Sequence, residues 1–227
     1  MIKNNYLILV RHGQSTYNLD NKFTGWKDVE LTNKGKNEAK LAIDLLKNIN
    51  INKAYTSALK RAQDTLNIIL KGLDIKLDVI TNYKLNERDY GDLVGQNKLD
   101  AAKKFGSKQV QIWRRSYDVS PPGGESLKMT YDRCIPYFKS VILQDVFKHN
   151  NVIISAHGNS IRAIVKFLLN LSSDEILKTE IGWCEPWVFE FNSSNNLVNL
   201  DILHNDEYES NSKLPIALNS LFKSLNT

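Results

Sequence analysis

Two histidine-glycine pairs stand at the ends of apolar runs in this 227-residue sequence. The first lies in LILVRHGQST at residues 7–16, and the second lies in NVIISAHGNS at residues 151–160. A short aliphatic run bounded by polar residues is typical of a buried strand in a parallel sheet. Ligands of open α/β sheets bind beyond the carboxyl ends of the strands. If the two strands are neighbours, we therefore expect His12 and His157 to face each other across one crevice.

The residues around His12 favour phosphoryl chemistry. Gly13 lets backbone N–H groups approach an anion, and Arg11 offers a planar fork that matches phosphate oxygens. His12 is then a candidate nucleophile toward a phosphoryl group. Such a transfer needs mainly positioning and donors on the phosphoryl oxygens, which Arg11, Arg61 and His157 could supply. A lone histidine at a strand end is more often structural, but two such strand ends favour a functional interpretation.

A histidine nucleophile also needs an acid/base partner, and Glu87 is the leading candidate. It lies in a polar loop, where the alternative is a surface ion pair with Arg88. A second group of cations is formed by Lys98, Arg114 and Arg115. The alternative for this group is that its members are exposed helix charges, because adjacent arginines point to different sides of a helix.

The order of the elements indicates the fold class. We predict strands at residues 7–10, 51–56, 77–80, 151–156, 187–191 and 197–203, and helices at residues 32–48, 58–70, 125–148, 160–169 and near 173–175. Ser57 is expected to cap the second of these helices, and residues 85–120 follow no regular pattern. Strands separated by helices predict an α/β fold, a three-layer sandwich with a mostly parallel sheet and helices on both faces. Residues 1–227 are expected to form a single domain.

Composition and charge limit the partners. The net charge is +5, which indicates either a nucleic-acid surface or a pocket for an anionic small molecule. The cations form no run with interleaved aromatics, so we expect no nucleic acid. No apolar run approaches the roughly 20 residues that span a bilayer, and we expect no membrane partner and a cytoplasmic protein. Cys134 and Cys184 show no metal-ligand spacing and are expected to be reduced, structural thiols.

Several short blocks of the sequence carry a resemblance to a known family. They are VRHGQS (10–15), FTGW (23–26), YTSA (55–58), LNERDYG (85–91), GQNK (95–98), IWRRSYDV (112–119) and AHGNS (156–160). Over about residues 5–192 the sequence resembles the cofactor-dependent phosphoglycerate mutases. The RHG triplet alone marks only the broad histidine phosphatase superfamily, whereas the NER and WRR blocks are more specific to the mutase branch.

The resemblance implies a phosphoglycerate mutase-like fold and a defined reaction. The enzyme would interconvert 3-phosphoglycerate and 2-phosphoglycerate in glycolysis and gluconeogenesis, through a phosphohistidine and 2,3-bisphosphoglycerate. The bisphosphate would be both primer and intermediate, and no metal is implied. His12 would carry the phosphoryl group, and Glu87 would donate and accept the proton. Arg11, Arg61 and His157 would hold the moving group. The substrate-binding residues would be Gln14, Ser15, Asn18, Thr24, Gly25, Arg88, Tyr90, Lys98, Arg114, Arg115, Gly158 and Asn159.

Two other functions stay open at this stage. A histidine phosphatase would share His12 but release phosphate to water, and a non-catalytic protein would only bind phosphate. Lys98 and the WRR block favour the mutase, because their cations could retain a bisphosphorylated intermediate. The intact set of His12, Glu87 and His157 disfavours a protein that only binds.

The sequence departs from the family at two places. The turn at residues 121–124 is short where longer members carry an insertion often found at subunit contacts, so the subunit number stays open, with a homodimer as one option. Residues 181–186 read IGWCEP where the family usually has Thr-Gly, an aliphatic residue and Pro, and we expect a changed floor of the site. Beyond residue 204 the match ends, and residues 204–227 are a tail that could move. Apolar residues on one helical face of this tail predict a docked helix that could act as a lid: Leu214, Leu218, Leu221, Phe222 and Leu225.

Overall fold

The computed structural model describes residues 4–205 and 210–216. Its strands are β1 (Asn5–Arg11), β2 (Lys53–Thr56), β3 (Val79–Thr81), β4 (Val152–Ala156), β5 (Trp187–Phe191) and β6 (Leu197–Ile202). They form one six-stranded sheet in the order β3-β2-β4-β1-β5-β6. The first four strands pair in parallel, and β5 and β6 are antiparallel to their neighbours. The predicted mostly parallel sheet with a terminal strand pair is confirmed.

Helices cover both faces of this sheet. They are α1 (Thr16–Leu19), α2 (Asn33–Leu46), α3 (Lys60–Gly72), α4 (Lys98–Phe105), α5 (Ser107–Arg115), α6 (Leu127–Tyr137), α7 (Leu143–Phe147), α8 (Gly158–Leu168) and α9 (Ser173–Lys178). Side chains alternate between the two faces along a strand. Ile8 and Val10 of β1 therefore pack with α2 and α3, whereas Leu7 and Leu9 pack with α6, α7, α8 and α9. The three-layer sandwich is confirmed.

The pairing of β1 with β4 places the two histidine-glycine pairs together. The register runs from Leu7 opposite Val152 to Arg11 opposite Ala156. His12 extends this ladder, since its backbone N–H donates to the Ala156 carbonyl at 3.0 Å. Because the strands are parallel and adjacent, both carboxyl ends open on the same edge of the sheet, as the sequence predicts.

The region predicted to be irregular contains two helices, so that prediction is wrong. Helices α4 and α5 meet at Gly106, whose φ of 86° lies in the left-handed region that glycine adopts freely. They pack on a small separate cluster instead of the main core, which includes Phe23, Val110 and Trp113. Each helix is short and has few apolar residues, which explains why no helical periodicity stands out.

Several predicted boundaries also shift. The helix predicted from residue 58 begins at Lys60, and Leu59 occupies its N-cap without a side-chain bond. Ser57 is therefore not the N-cap residue of α3; its hydroxyl accepts from the Leu59 N–H at 3.1 Å and also bonds His157. The helix predicted from residue 125 begins at Leu127, capped by Ser126, and a π-helical turn follows Pro136 within it.

The segment 210–216 lies against the loop before β5. The Glu185 carboxylate accepts hydrogen bonds from the Ser210 hydroxyl and from the backbone N–H groups of Asn211 and Ser212, at 2.7–2.9 Å. Leu214 packs at the edge of the main core. The other apolar residues of the predicted tail helix lie outside the described residues. Within the described ranges, no helix is both long and apolar enough to cross a membrane.

A close backbone contact fixes the turn after β1. A Cβ added at Gly13 would overlap the Gly35 carbonyl, and a Cβ added at Gly35 would overlap the Gln14 carbonyl. The Gly13 N–H donates to the Thr65 hydroxyl of α3 at 3.1 Å. The first turn of α2 therefore presses directly on the chain that follows His12, and this contact needs glycine on both sides.

We expect Gly35→Ala to lower the free energy of unfolding by about 1–3 kcal/mol, because the new methyl group overpacks a backbone contact. Alanine is intrinsically a better helix former than glycine, so a helix without this contact would gain stability. Urea denaturation measures the change. Lys36→Ala, an exposed position in the same helix, is the matched control. Equal or higher stability of Gly35→Ala would contradict the contact.

Candidate active site

The tautomer of His12 follows from its two hydrogen bonds. Its Nδ1 lies 2.7 Å from the Gly13 carbonyl, which can only accept, so Nδ1 carries the proton. Its Nε2 lies 3.3 Å from Arg61 Nε, which can only donate, so Nε2 presents a lone pair. His12 is therefore a neutral imidazole with its nucleophilic nitrogen turned toward Arg61.

His157 stands beside His12 with its own ring fixed from the opposite side. The two ring centroids are 5.0 Å apart, and the ring planes are inclined by 61°. His157 Nε2 lies 2.7 Å from the Ser57 hydroxyl, which follows β2. His157 Nδ1 is buried and has no hydrogen-bond partner among the described residues.

Two arginines flank the histidine pair. Arg61, in the first turn of α3, is almost completely buried and donates to the carbonyls of Lys27 and Gly25 at 3.0 and 2.9 Å. Burial lowers its pKa to about 10, which leaves it cationic at neutral pH. Arg11 Nη1 donates to the Ile181 carbonyl at 2.7 Å, and its buried Nε has no partner in the described part of the chain. Both guanidinium groups are therefore held by the backbone and not by carboxylates.

Glu87 is half-buried and its carboxylate is oriented by backbone donors. Oε1 accepts the N–H groups of Arg88 at 2.8 Å and of Asn159 at 3.1 Å. The Glu87 carbonyl accepts from Trp26 Nε1 at 2.6 Å and from Arg133 Nη2 at 3.2 Å. The alternative of a surface ion pair with Arg88 is not observed, because the Arg88 guanidinium turns to the Tyr90 hydroxyl at 2.7 Å.

The second group of cations predicted from the sequence lines the same pocket. Lys98 begins α4, and Arg114 and Arg115 end α5, so the two helices bring the three together. Burial, and then the positive charge of Arg114, lowers the pKa of Lys98 to about 8. Arg88 is almost completely buried, and its Nε and Nη1 have no partner within the described residues. The alternative of ordinary exposed helix charges is wrong for Lys98.

The pocket contains most of the residues that the sequence predicts for the site. Its lining includes Arg11, His12, Asn18, Thr24, Gly25, Arg61, Glu87, Arg88, Tyr90, Lys98, Arg114, Arg115, Gly158 and Asn159. Gln14, Ser15 and His157 are not part of the lining, and His157 lies fully buried behind His12. Gln14 Oε1 accepts from the Thr32 hydroxyl, and Ser15 caps α1 with Asn18 as its partner. Both side chains shape the turn after β1.

Four further lining residues were not predicted from the sequence: Lys22, Phe23, Arg162 and Glu180. Arg162 lies three and four residues after Asn159 and Gly158 in α8, so helical spacing could have found it. Lys22 and Phe23 adjoin the predicted Thr24. Glu180 follows α9, and no local pattern marks it.

The changed segment at residues 181–186 contacts Arg11 but does not itself line the pocket. The Trp183 ring lies 5.3 Å from the Arg11 guanidinium carbon, within the range of a cation–π contact. Glu185 instead faces segment 210–212 and is absent from the pocket lining. Neither Trp183 nor Glu185 adds a group to the pocket lining, so the expected change in the floor of the site is not observed among the described residues.

The two cysteines lie outside the pocket lining. Cys134 and Cys184 are both buried and unpaired, and burial raises the pKa of Cys134 to about 12. Among residues 4–205 and 210–216, no cluster of three or more His, Cys, Asp or Glu side chains is arranged to hold a metal ion.

Comparison with known proteins assigns the family. The model of the histidine phosphatase superfamily (branch 1) matches residues 7–200. The chain belongs to this superfamily, and the His12 block and the His157 block both lie within the match.

Curated relatives narrow the comparison to one branch. The chain is 50% identical over 202 residues to the 2,3-bisphosphoglycerate-dependent phosphoglycerate mutase of Parvibaculum lavamentivorans, covering 88% of this chain and 96% of that protein. It is 48% identical over 204 residues to the phosphoglycerate mutase of Schizosaccharomyces pombe, covering 88% and 97%. Among solved structures, a mycobacterial glucosyl-3-phosphoglycerate phosphatase matches with a TM-score of 0.75 at 22% identity, covering 88% of this chain and 99% of that one. This last likeness concerns the fold alone.

Burial determines how the two histidines affect stability. Burial first, and then the charge of Arg61, holds the pKa of His12 and of His157 well below the ordinary value. An unfolded chain protonates its histidines near pH 6.5, whereas these two stay neutral in the folded state. The contribution of these two neutral histidines to the free energy of unfolding is therefore fully retained above about pH 6.5 and is lost as the pH falls below it.

We expect His12→Gln to reduce the pH dependence of stability. Between about pH 7.5 and about pH 5.5 the variant should lose about 1.4 kcal/mol less unfolding free energy than the unchanged protein, because one buried neutral imidazole is gone. Urea denaturation at each pH gives the values. The exposed His204→Gln is the matched control for removing one imidazole. Identical pH profiles for His12→Gln and the unchanged protein would contradict the neutral state of His12.

Proposed function

We infer that this chain catalyses the interconversion of 3-phosphoglycerate and 2-phosphoglycerate, with 2,3-bisphosphoglycerate as cofactor. The observation that carries the inference is the fixed tautomer of His12, whose Nε2 lone pair lies beside Arg61 in a cation-lined pocket. The identity of about 50% with proteins named as phosphoglycerate mutases supports this reaction over simple hydrolysis. The same name supports roles in glycolysis and gluconeogenesis.

The pocket fits a bisphosphorylated ligand. Among its described lining residues are eight basic side chains and two carboxylates, Glu87 and Glu180. Buried donors without partners in the described structure, at Arg11 Nε and at Arg88 Nε and Nη1, are available to anionic oxygens. When bound, 2,3-bisphosphoglycerate supplies the phosphoryl group that primes His12. The basic residues would neutralise both of its phosphates without a metal.

The proposed nucleophilic step is made by His12. Its Nε2 attacks the phosphorus, an N–P bond forms, and the P–O bond to the glycerate oxygen breaks. The Gly13 carbonyl accepts a hydrogen bond from Nδ1–H and so stabilises the positive charge that develops on the ring. We assign Arg11, Arg61 and His157 to the oxygens of the moving phosphoryl group, because Arg61 Nε lies 3.3 Å from Nε2, Arg11 shares the pocket lining and the His157 ring packs against His12.

Glu87 is assigned the proton transfer in this reaction. Its carboxyl group would give a proton to the leaving glycerate oxygen and take one from the attacking hydroxyl in the reverse direction. The two backbone N–H groups on Oε1 hold it in place for both directions. After the phosphoryl group passes to the free hydroxyl, the ligand reorients and His12 takes up the other group.

The rest of the pocket is assigned to binding the glycerate and its second phosphate. The cations Arg88, Lys98, Arg114 and Arg115 lie on this part of the lining, with Tyr90 and Asn159 as neutral donors. A phosphatase needs to hold only one phosphate, whereas a mutase must retain a bisphosphate between two transfers. This second group of cations is the local feature that favours the mutase.

Three broader expectations stay proposals. We propose a cytoplasmic protein, in keeping with its buried unpaired thiols. A homodimer is the oligomeric state to be tested by light scattering after size exclusion. Residues 1–227 are proposed to form one domain, and segment 210–213, which is hydrogen-bonded to Glu185 and Glu180, is not proposed as part of a mobile tail.

We expect the protein to convert 3-phosphoglycerate with trace 2,3-bisphosphoglycerate into 2-phosphoglycerate, with little free phosphate. An enolase-coupled assay measures the product, and a phosphate assay runs in parallel. His12→Ala should abolish acid-labile labelling by labelled bisphosphate, because no nitrogen remains to accept the group. Rapid stoichiometric phosphate release by the unchanged protein would instead identify a phosphatase. Unchanged labelling of His12→Ala would exclude His12 as the nucleophile.

We expect Glu87→Gln to lower kcat by roughly 10²–10⁴-fold with a small change in KM, since the amide keeps the oxygen that binds two N–H groups but cannot transfer a proton. Steady-state kinetics provides the comparison. Asp44→Asn, an exposed carboxylate in α2, is the control for the loss of one negative charge. A Glu87→Gln enzyme with nearly normal kcat would remove Glu87 from proton transfer.

A further inference from the structure

Glu180 is a carboxylate in the wall of a pocket made for anions. Its Oε1 lies 2.6 Å from Arg115 Nη1, and its Oε2 lies 2.6 Å from Arg162 Nη2. Both carboxylate oxygens are therefore paired with guanidinium groups of arginines that line the pocket. In the free protein Glu180 takes the position that an anionic group of a ligand would otherwise take on Arg115.

The two arginines differ in how firmly they are held. Arg162 is largely buried, and its Nε also donates to the Thr179 carbonyl at 2.8 Å. Arg115 is 41% exposed at the end of α5, and within the described residues its ion-pair partner is Glu180. Arg162 therefore stays with Glu180, whereas Arg115 can turn to another anion if it leaves the carboxylate.

The main chain fixes Glu180 where it stands. Its backbone N–H donates to the Lys213 carbonyl and its carbonyl accepts from the Lys213 N–H, both at 2.9 Å. With Arg162 on one oxygen and this bridge on the backbone, the carboxylate cannot withdraw easily. A ligand that recruits Arg115 must then break the 2.6 Å ion pair and also approach an unmoved negative charge.

We propose that Glu180 is a specificity-determining residue that competes with the ligand for Arg115 and so limits how tightly the pocket retains the bisphosphate. The inference rests on the proposed mutase function. Both effects of Glu180, the occupied arginine and the like charge, weaken binding, and they act most strongly on the most highly charged ligand. The monophosphates, which carry fewer charges, are affected less. Glu180 thereby counteracts the eight basic side chains, which would otherwise trap the bisphosphate.

The opposite role predicts the opposite result. If Glu180 were only a support that orients Arg115 toward the ligand, removal of its charge would loosen that arginine and weaken binding. Under the competition proposed here, removal of the charge frees Arg115 and strengthens binding. The direction of the change in affinity therefore decides between the two roles.

We test the proposal by titrating 2,3-bisphosphoglycerate calorimetrically into proteins that carry His12→Ala, so that no group is transferred. Adding Glu180→Gln should lower the Kd about 2–5-fold, the range expected for one exposed ion pair. Asp44→Asn in the same parent makes the same change in net charge far from the lining and should leave the Kd unchanged. The gain should shrink at high salt, because screening weakens charge effects but not shape.

A second pair of variants tests whether the gain in affinity for the bisphosphate depends on Arg115. In a parent with both His12→Ala and Arg115→Gln, Glu180→Gln should gain clearly less affinity than it does with Arg115 present. Glu180→Asn repeats the loss of charge with a smaller amide, and thermal unfolding confirms that each variant is folded. An unchanged or higher Kd in folded Glu180→Gln and Glu180→Asn proteins would overturn the proposal.

Failure of the proposed function would look different. The unchanged protein would then lack mutase turnover, and the His12→Ala parent would bind no bisphosphate. Failure of this inference leaves turnover and parent binding intact and removes only the gain in affinity. In the active protein, Glu180→Gln should lower the KM for 3-phosphoglycerate less than it lowers the Kd for the bisphosphate, and equal changes would contradict the dependence on ligand charge.

Discussion

The neutral state of His12 is the condition on which the rest of the site depends. A protonated imidazole has no lone pair with which to attack, and this one is surrounded by cations in a buried position. The Gly13 carbonyl holds the single proton on Nδ1, while Arg61 donates to Nε2. The arginines that would stabilise a phosphoryl group therefore also keep the nucleophile unprotonated before that group arrives.

Arg11 and Arg61 can have both roles only if their positive charge is not neutralised, and their hydrogen bonds meet this condition. Arg61 and Arg11 are held by the backbone carbonyls of Gly25, Lys27 and Ile181. A carboxylate in the same place would cancel the charge that a phosphate must meet, whereas a carbonyl fixes the guanidinium and leaves its charge intact. Glu180 is the exception to this rule, because its carboxylate pairs with Arg115 and Arg162, two arginines of the same lining.

The sequence was most informative where function follows a strand end. The two histidine-glycine pairs could be predicted because an apolar run that ends in an abrupt polar switch is a local signal. Arg61, in the first turn of α3, and Glu87, in a loop, were candidates by residue type and by the family resemblance. Helices α4 and α5 could not, since they stabilise themselves on the loop residue Phe23 and on each other. Ser57 was misplaced because its hydroxyl serves His157, a partner 100 residues away. Glu180 left no local trace, since its significance comes from two arginines on separate helices.

The anchoring of segment 210–212 has a consequence for how the chain can be shortened. Glu185 is largely buried, and its carboxylate takes three donors from Ser210, Asn211 and Ser212. A protein cut before Ser210 would lose these donors and leave the Glu185 carboxylate to water, and would also free the backbone of Glu180. Segment 210–213 therefore supports the part of the pocket lining that carries Glu180, and shortened versions of the protein should keep it through Lys213.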